Sequence, residues 1–416
     1  MNPTLSYEAT PPFRVPLSFF LLACLFGIAA GVLLVIEPRA LVSRWTPAAL
    51  AMTHLITTGF MLLVMLGALF QVLPVVVGAR LPAAGRVAPA VLVLCGSGAA
   101  SLSWGLGTAS TLFMQAGGGL LAAAIAVFLA LAGWGSRGCA DGAGSTRDLR
   151  LALIGLAITT ALGVMLVLAL SRGLAVPILQ TTNLHAAWGW LGWGGILLAA
   201  TSWVVVPMFQ ITPPYPPGLK RYWAALSFAL LILWSIAALA ADAPQWAGTT
   251  LLAGSAAALA LATLGLLRRT RRASPDASFR TLQLAMAAFL GGALCAVIAS
   301  ISAQPWWAMG AGVLVLHGGF VSAISAMLYK IVPFLAWLHL TQARIKAPNM
   351  KRLSPDSPVR RQLLLHALTL PALLAAASGN ALAGGVAGTL LAAEFTWLLI
   401  NLLATTARWR RAQAGH

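Results

Sequence analysis

The chain has 416 residues, 60% of them hydrophobic and only 8% charged, with a formal net charge of +18. That composition excludes a water-soluble globular fold, since too few polar groups are present to face water. The charge does not indicate nucleic acid either, because the basic residues lie between apolar runs and not in a groove interleaved with aromatic rings.

A hydrocarbon core about 30 Å thick needs roughly 20 apolar residues at about 1.5 Å rise each. Twelve runs of that length occur, near 15–36, 48–78, 86–107, 110–134, 150–171, 180–208, 222–241, 247–267, 279–301, 305–338, 362–382 and 384–406. The short alternating strands of a barrel are not seen. The expected fold is therefore all-α: a polytopic membrane protein of about twelve transmembrane helices forming a single domain over 1–416. The first run continues a dozen residues past Cys24, so an ordinary span is expected there and not a removed leader. Cys24, Cys95, Cys139 and Cys295 show no metal-ligand spacing and are expected to be packing residues.

If the N-terminus is cytoplasmic, 22 of the 26 Lys and Arg residues fall in cytoplasmic segments. Only Arg39, Arg44 and Arg172 fall outside, and Lys330 lies within a span. The positive-inside rule then predicts a bacterial inner membrane protein, bathed in lipid, with both termini in the cytoplasm.

An internal repeat emerges along the chain. Spans 2, 6 and 10 carry His54, His185 and His317, which are 131 and 132 residues apart. Leu69-Phe70-Gln71-Val72-Leu73-Pro74 also matches Leu328-Tyr329-Lys330-Ile331-Val332-Pro333. Each interval contains four spans, giving three four-helix repeats near 15–134, 150–267 and 279–406.

Ionisable residues inside a bilayer are costly and are functional candidates by default. His54, His185 and His317 are expected in the outer halves of their helices, with His339 and His366 near cytoplasmic ends. Counted back from Pro74 and Pro333, the depths of His54 and His317 differ by about 6 Å, one helical turn. Both can then reach one iron from opposite faces of a porphyrin, with the neighbouring glycines and aromatic rings forming an apolar slot. Arg172, just before span 6, is the candidate partner for haem propionates. Lys330 and Glu394 are expected to pair within the membrane. Tyr329, Gln71 and Gln210 are expected to form a polar cluster towards the cytoplasm.

Twelve helices in three arcs, with histidines on helices 2, 6 and 10, resemble subunit I of the haem-copper oxidases and its nitric oxide reductase relatives. The resemblance implies His54 and His317 as ligands of a low-spin haem b and a copper-ligand role for His185. The chain departs from that family at several positions. Helix 10 has only His317-Gly318-Gly319, Lys220-Arg221-Tyr222-Trp223 lacks the helix 7 histidine pair, and Gly189 stands where a tyrosine is expected. What is implied is a relative without a complete binuclear copper site, similar in outline to the NnrS-type haem membrane proteins. Its function would be electron transfer or the binding of NO or O2, with cytochrome c or quinol as donor and with possible membership of a respiratory complex. The alternatives are a twelve-helix transporter and a respiratory oxidase assembly factor.

Overall fold

A computed structural model of the chain describes residues 11–139, 145–239 and 245–414. Twelve long helices account for most of the described residues: α1 (Arg14–Ile36), α2 (Pro47–Val77), α3 (Ala84–Thr108), α4 (Thr111–Gly135), α5 (Ser145–Arg172), α6 (Ile178–Gln210), α7 (Pro217–Leu239), α8 (Gln245–Arg268), α9 (Ala277–Ile301), α10 (Pro305–Gln342), α11 (Asp356–Ala376) and α12 (Ala381–Ala414). No strand occurs among the described residues. Eleven of these helices are long and apolar enough to cross a membrane, so this is a multi-pass membrane protein.

The helix left out is α11, which falls at the eleventh expected span. It begins at Asp356, six residues earlier than its apolar run, which adds Arg360 and Arg361 to the Gln362 and His366 already within that run. Those polar groups reduce its mean hydropathy, and two of them prove central to the candidate site.

Large apolar side chains face outward, among them Leu382, Leu112 and Ile301 at 78%, 71% and 70% exposure. On a protein in water this would be an aggregation hazard; on a membrane helix it is the lipid-facing surface. Helices adjacent in sequence pack side by side, and α12 returns to pack along α1. That closing seam is built from small residues. A Cβ added at Gly31 would lie 2.3 Å from the Ala392 backbone nitrogen, and one at Gly388 would lie 2.7 Å from that of Val35. With Gly27 and Gly384 one turn away, each helix presents two glycines four residues apart, which lets the backbones approach closely where no hydrophobic force draws helices together.

The helices carrying the three central histidines are the most enclosed. In the apolar stretches of α2 and α10, 72% of residues are buried, against 56% in α6 and at most 50% in the other spanning helices. Each of the three also widens into a π-helical segment at its histidine: Leu55–Met61, Trp188–Gly195 and Leu314–Val321. A π turn displaces backbone carbonyls from their usual partners, and nearby hydroxyls compensate. Thr58 Oγ1 donates to the His54 carbonyl at 2.7 Å, and Ser322 Oγ donates to that of His317 at 3.3 Å.

Candidate functional site

His54 lies seven residues into α2 and His185 seven residues into α6, whereas His317 lies twelve residues into α10. At about 1.5 Å per residue, His317 is therefore some 7 Å further along its helix. The side chains sort accordingly. The rings of His54 and His185 are near-parallel, with centroids 6.4 Å apart and planes inclined by 16°. The ring of His317 lies 4.4 Å from that of His366. The two histidines expected to share an iron, His54 and His317, thus each have a different imidazole partner.

The tautomer of the first pair follows from its hydrogen bonds. His54 Nδ1 is 2.8 Å from the Leu50 carbonyl, and His185 Nδ1 is 3.0 Å from the Thr159 carbonyl. A carbonyl can only accept, so both Nδ1 atoms carry the proton and both Nε2 atoms keep a lone pair when the rings are neutral. This is the outer-shell arrangement that orients a metal-ligating imidazole. Two imidazoles on opposite sides of one metal, each bound at about 2.0–2.1 Å, have ring centroids about 6 Å apart. The observed 6.4 Å matches that separation.

The glycines flanking the histidines serve packing between helices. Cβ atoms built on Gly59, Gly318 and Gly319 would run into Phe26, Ala288 and Phe289 of neighbouring helices. Gly163 is the exception, facing the His185 ring itself, with 3.1 Å from an added Cβ to Cε1.

Arg172 donates to Gln115 Oε1 of α4 at 2.9 Å. Arg44 donates to Asn183 Oδ1 at 2.9 Å, two residues before His185, with its guanidinium 4.6 Å from the centre of the Trp45 ring. Burial lowers the Arg44 pKa from its ordinary value, yet a guanidinium remains charged in any protein setting. Among the described residues no carboxylate pairs with it.

Glu394 and Lys330 do not pair. Lys330 is 13 residues beyond His317 on α10, about 20 Å along the axis. Glu394 of α12 lies at the level of His317, whose Nε2 is 2.9 Å from its Oε1. His366 Nδ1 approaches the same oxygen at 3.2 Å, and His366 Nε2 is 2.7 Å from Ser322 Oγ. All three side chains are buried, at 5%, 0% and 1% exposure for His317, His366 and Glu394. His366 lies ten residues into α11 where the apolar run puts it four, about 9 Å further from the helix start than expected.

Lys330 forms its ion pair with Asp276, which also holds Arg272 at 2.7 Å and accepts from the Phe279 N–H at 3.0 Å as the N-cap of α9. Burial alone would raise the Asp276 carboxyl, but the Lys330 ammonium, the Phe279 N–H and Arg272 together hold it below its ordinary value. A depressed folded value means that this stabilisation is complete above the unfolded pKa of about 3.9 and is lost as pH falls through the folded one. Asp276→Asn should therefore flatten the fall in thermal stability of the purified protein below about pH 4. Asp276→Ala should lose the cap as well, at a further cost of roughly 0.5–2 kcal/mol. Equal melting curves for wild type and both variants would refute this assignment.

Tyr329 accepts a hydrogen bond from Asn401 Nδ2 of α12 at 2.9 Å instead of joining a cluster with Gln71 and Gln210. All four cysteines are free. Compared with known proteins, the chain matches no family model and none of the curated proteins.

Proposed function

We propose that this chain is a haem-binding redox protein of a bacterial cytoplasmic membrane, with its arginine-rich end and both termini inside. The observation that carries the reading is the His54–His185 pair: near-parallel rings 6.4 Å apart, each with Nδ1 donated to a backbone carbonyl and Nε2 left as a ligand. Bound haem supplies one-electron chemistry, and cytochrome c or quinol is the class of donor it would serve. Diatomic gas binding would require one of the two imidazoles to yield its position.

His54 and His185 would hold the iron through Nε2, and the Leu50 and Thr159 carbonyls orient the two rings through Nδ1. The π segments beside each histidine add support, since such segments recur at functional sites. Three four-helix arcs around α2, α6 and α10 fit the enclosed character of those helices.

Protein purified from haem-replete cells should contain about one iron per chain and show the sharp α and β bands of a six-coordinate b-type haem when reduced. A preparation without haem would overturn the reading; one iron-free copper per chain would reassign the same two imidazoles to copper. Arg44 provides the positive charge near this pair, where acidic groups of a bound haem need a partner. Arg44→Gln should accelerate haem loss to apomyoglobin by on the order of tenfold, while Arg172→Gln should leave the rate unchanged.

A further inference from the structure

We propose that His317, His366 and Glu394 form a second metal site, separate from the His54–His185 pair, for one divalent first-row transition ion. Three helices, α10, α11 and α12, each contribute one ligand, and the three ligand atoms lie within 4.8 Å of one another. Their burial makes the site a built one and not a chance surface cluster.

Three features point to a cation. The first is charge: a carboxylate 1% exposed among membrane helices requires a positive partner, and no Lys or Arg pairs with Glu394 among the described residues. The second is convergence. Both imidazole nitrogens approach Oε1, at 2.9 and 3.2 Å, while Oε2 is buried without a hydrogen-bond partner. A carboxylate serving only as an acceptor would be better satisfied by one donor on each oxygen. The third is an outer shell. With a metal on His366 Nδ1, the ring keeps its proton on Nε2 and donates it to Ser322 Oγ, whose own proton goes to the His317 carbonyl. Gln362 Nε2 donates to the Glu394 backbone carbonyl at 3.1 Å and steadies that turn of α12. Such partners set the tautomer and rotamer of ligating side chains.

The donor set selects the ion class. Two imidazoles and one carboxylate suit Zn2+, Fe2+ or Cu2+, whereas Ca2+ and Mg2+ take oxygen ligands and soft ions prefer thiolates. Two metal–nitrogen bonds and one metal–oxygen bond would replace the two N–H···O hydrogen bonds; a neutral imidazole would carry its proton on the other ring nitrogen, and an imidazolium would release one proton to solvent. Positions remain for solvent or a small ligand.

The test uses the full-length haem-loaded protein in detergent, stripped with a chelator and dialysed against Zn2+, with zinc and iron measured per chain. Wild type should bind one zinc. Glu394→Gln and His366→Gln should each weaken that binding at least tenfold while the haem spectrum and helical circular dichroism stay unchanged. Ser322→Ala, a milder change that leaves every ligand in place, should weaken it about tenfold. His54→Ala should abolish the six-coordinate haem spectrum and leave zinc binding intact, so the two proposals fail separately. Absence of stoichiometric zinc in wild type, binding as tight as wild type in Glu394→Gln or His366→Gln, or loss of zinc in His54→Ala would each overturn the site.

Discussion

Replacing His54 or His185 with alanine is expected to remove the haem, with retention falling on the order of tenfold or more in each single variant. Each ring is held by its own backbone acceptor, Leu50 or Thr159, so neither imidazole can be replaced by movement of the other. The expected spectrum of either variant is a broadened five-coordinate one or none. His317→Ala should keep the six-coordinate spectrum, because its Nε2 is engaged by Glu394 and not by the first pair. Loss of the spectrum in His317→Ala with retention in His185→Ala would restore the axial pairing implied by the resemblance to oxidase subunit I. Absorbance of the reduced protein distinguishes the two outcomes in one experiment.

Gly31→Val is expected to be the most damaging substitution away from the histidines. A Cβ at residue 31 would lie 2.3 Å from a backbone nitrogen of α12, and backbone cannot rotate aside as a side chain can. The helices must separate, which forfeits contacts along the whole α1–α12 seam, including the Gly27–Phe395 approach. Overpacking of a tight interior typically costs about 1–3 kcal/mol, and a seam that closes the helix ring leaves little room to relax. Gly119→Val is the matched control: an added Cβ there meets nothing within 4 Å, and the position faces outward on α4. Thermal unfolding followed by size-exclusion in detergent should show a lower midpoint for Gly31→Val and an unchanged one for Gly119→Val. Equal midpoints would mean that the seam is not a determinant of stability.

Membrane helices were legible in the sequence because lipid imposes one simple demand, a long apolar run, and eleven of the expected spans meet it. The same criterion misjudged α11. Its first turns are polar and resemble a loop in sequence, so His366 looks close to a helix end and its meeting with His317 and Glu394 leaves no sequence signal. The pairing expected of Lys330 with Glu394 does not form because the two lie at different depths: the 13 residues between His317 and Lys330 span about 20 Å, and of those two Glu394 meets only His317.

Depth also explains the histidines. The repeat spacing singles out His54, His185 and His317, and each of the three has a π segment at or just after it. Their distance from the start of each helix, seven, seven and twelve residues, separates one pair from the third. Side-chain hydrogen bonds that choose the tautomer, such as His185 Nδ1 to Thr159 of another helix, depend on packing between helices and leave no mark in sequence.

Electron paramagnetic resonance of the oxidised protein tests the central claim most directly. If both rings hold one low-spin ferric haem, imidazole planes inclined by only 16° would donate π density along the same direction and split the iron d orbitals. The account predicts a rhombic spectrum with three resolved g values that disappears in both His54→Ala and His185→Ala. A single strongly anisotropic low-spin signal, a high-spin signal in the wild type, or a rhombic signal that survives in His185→Ala would contradict it.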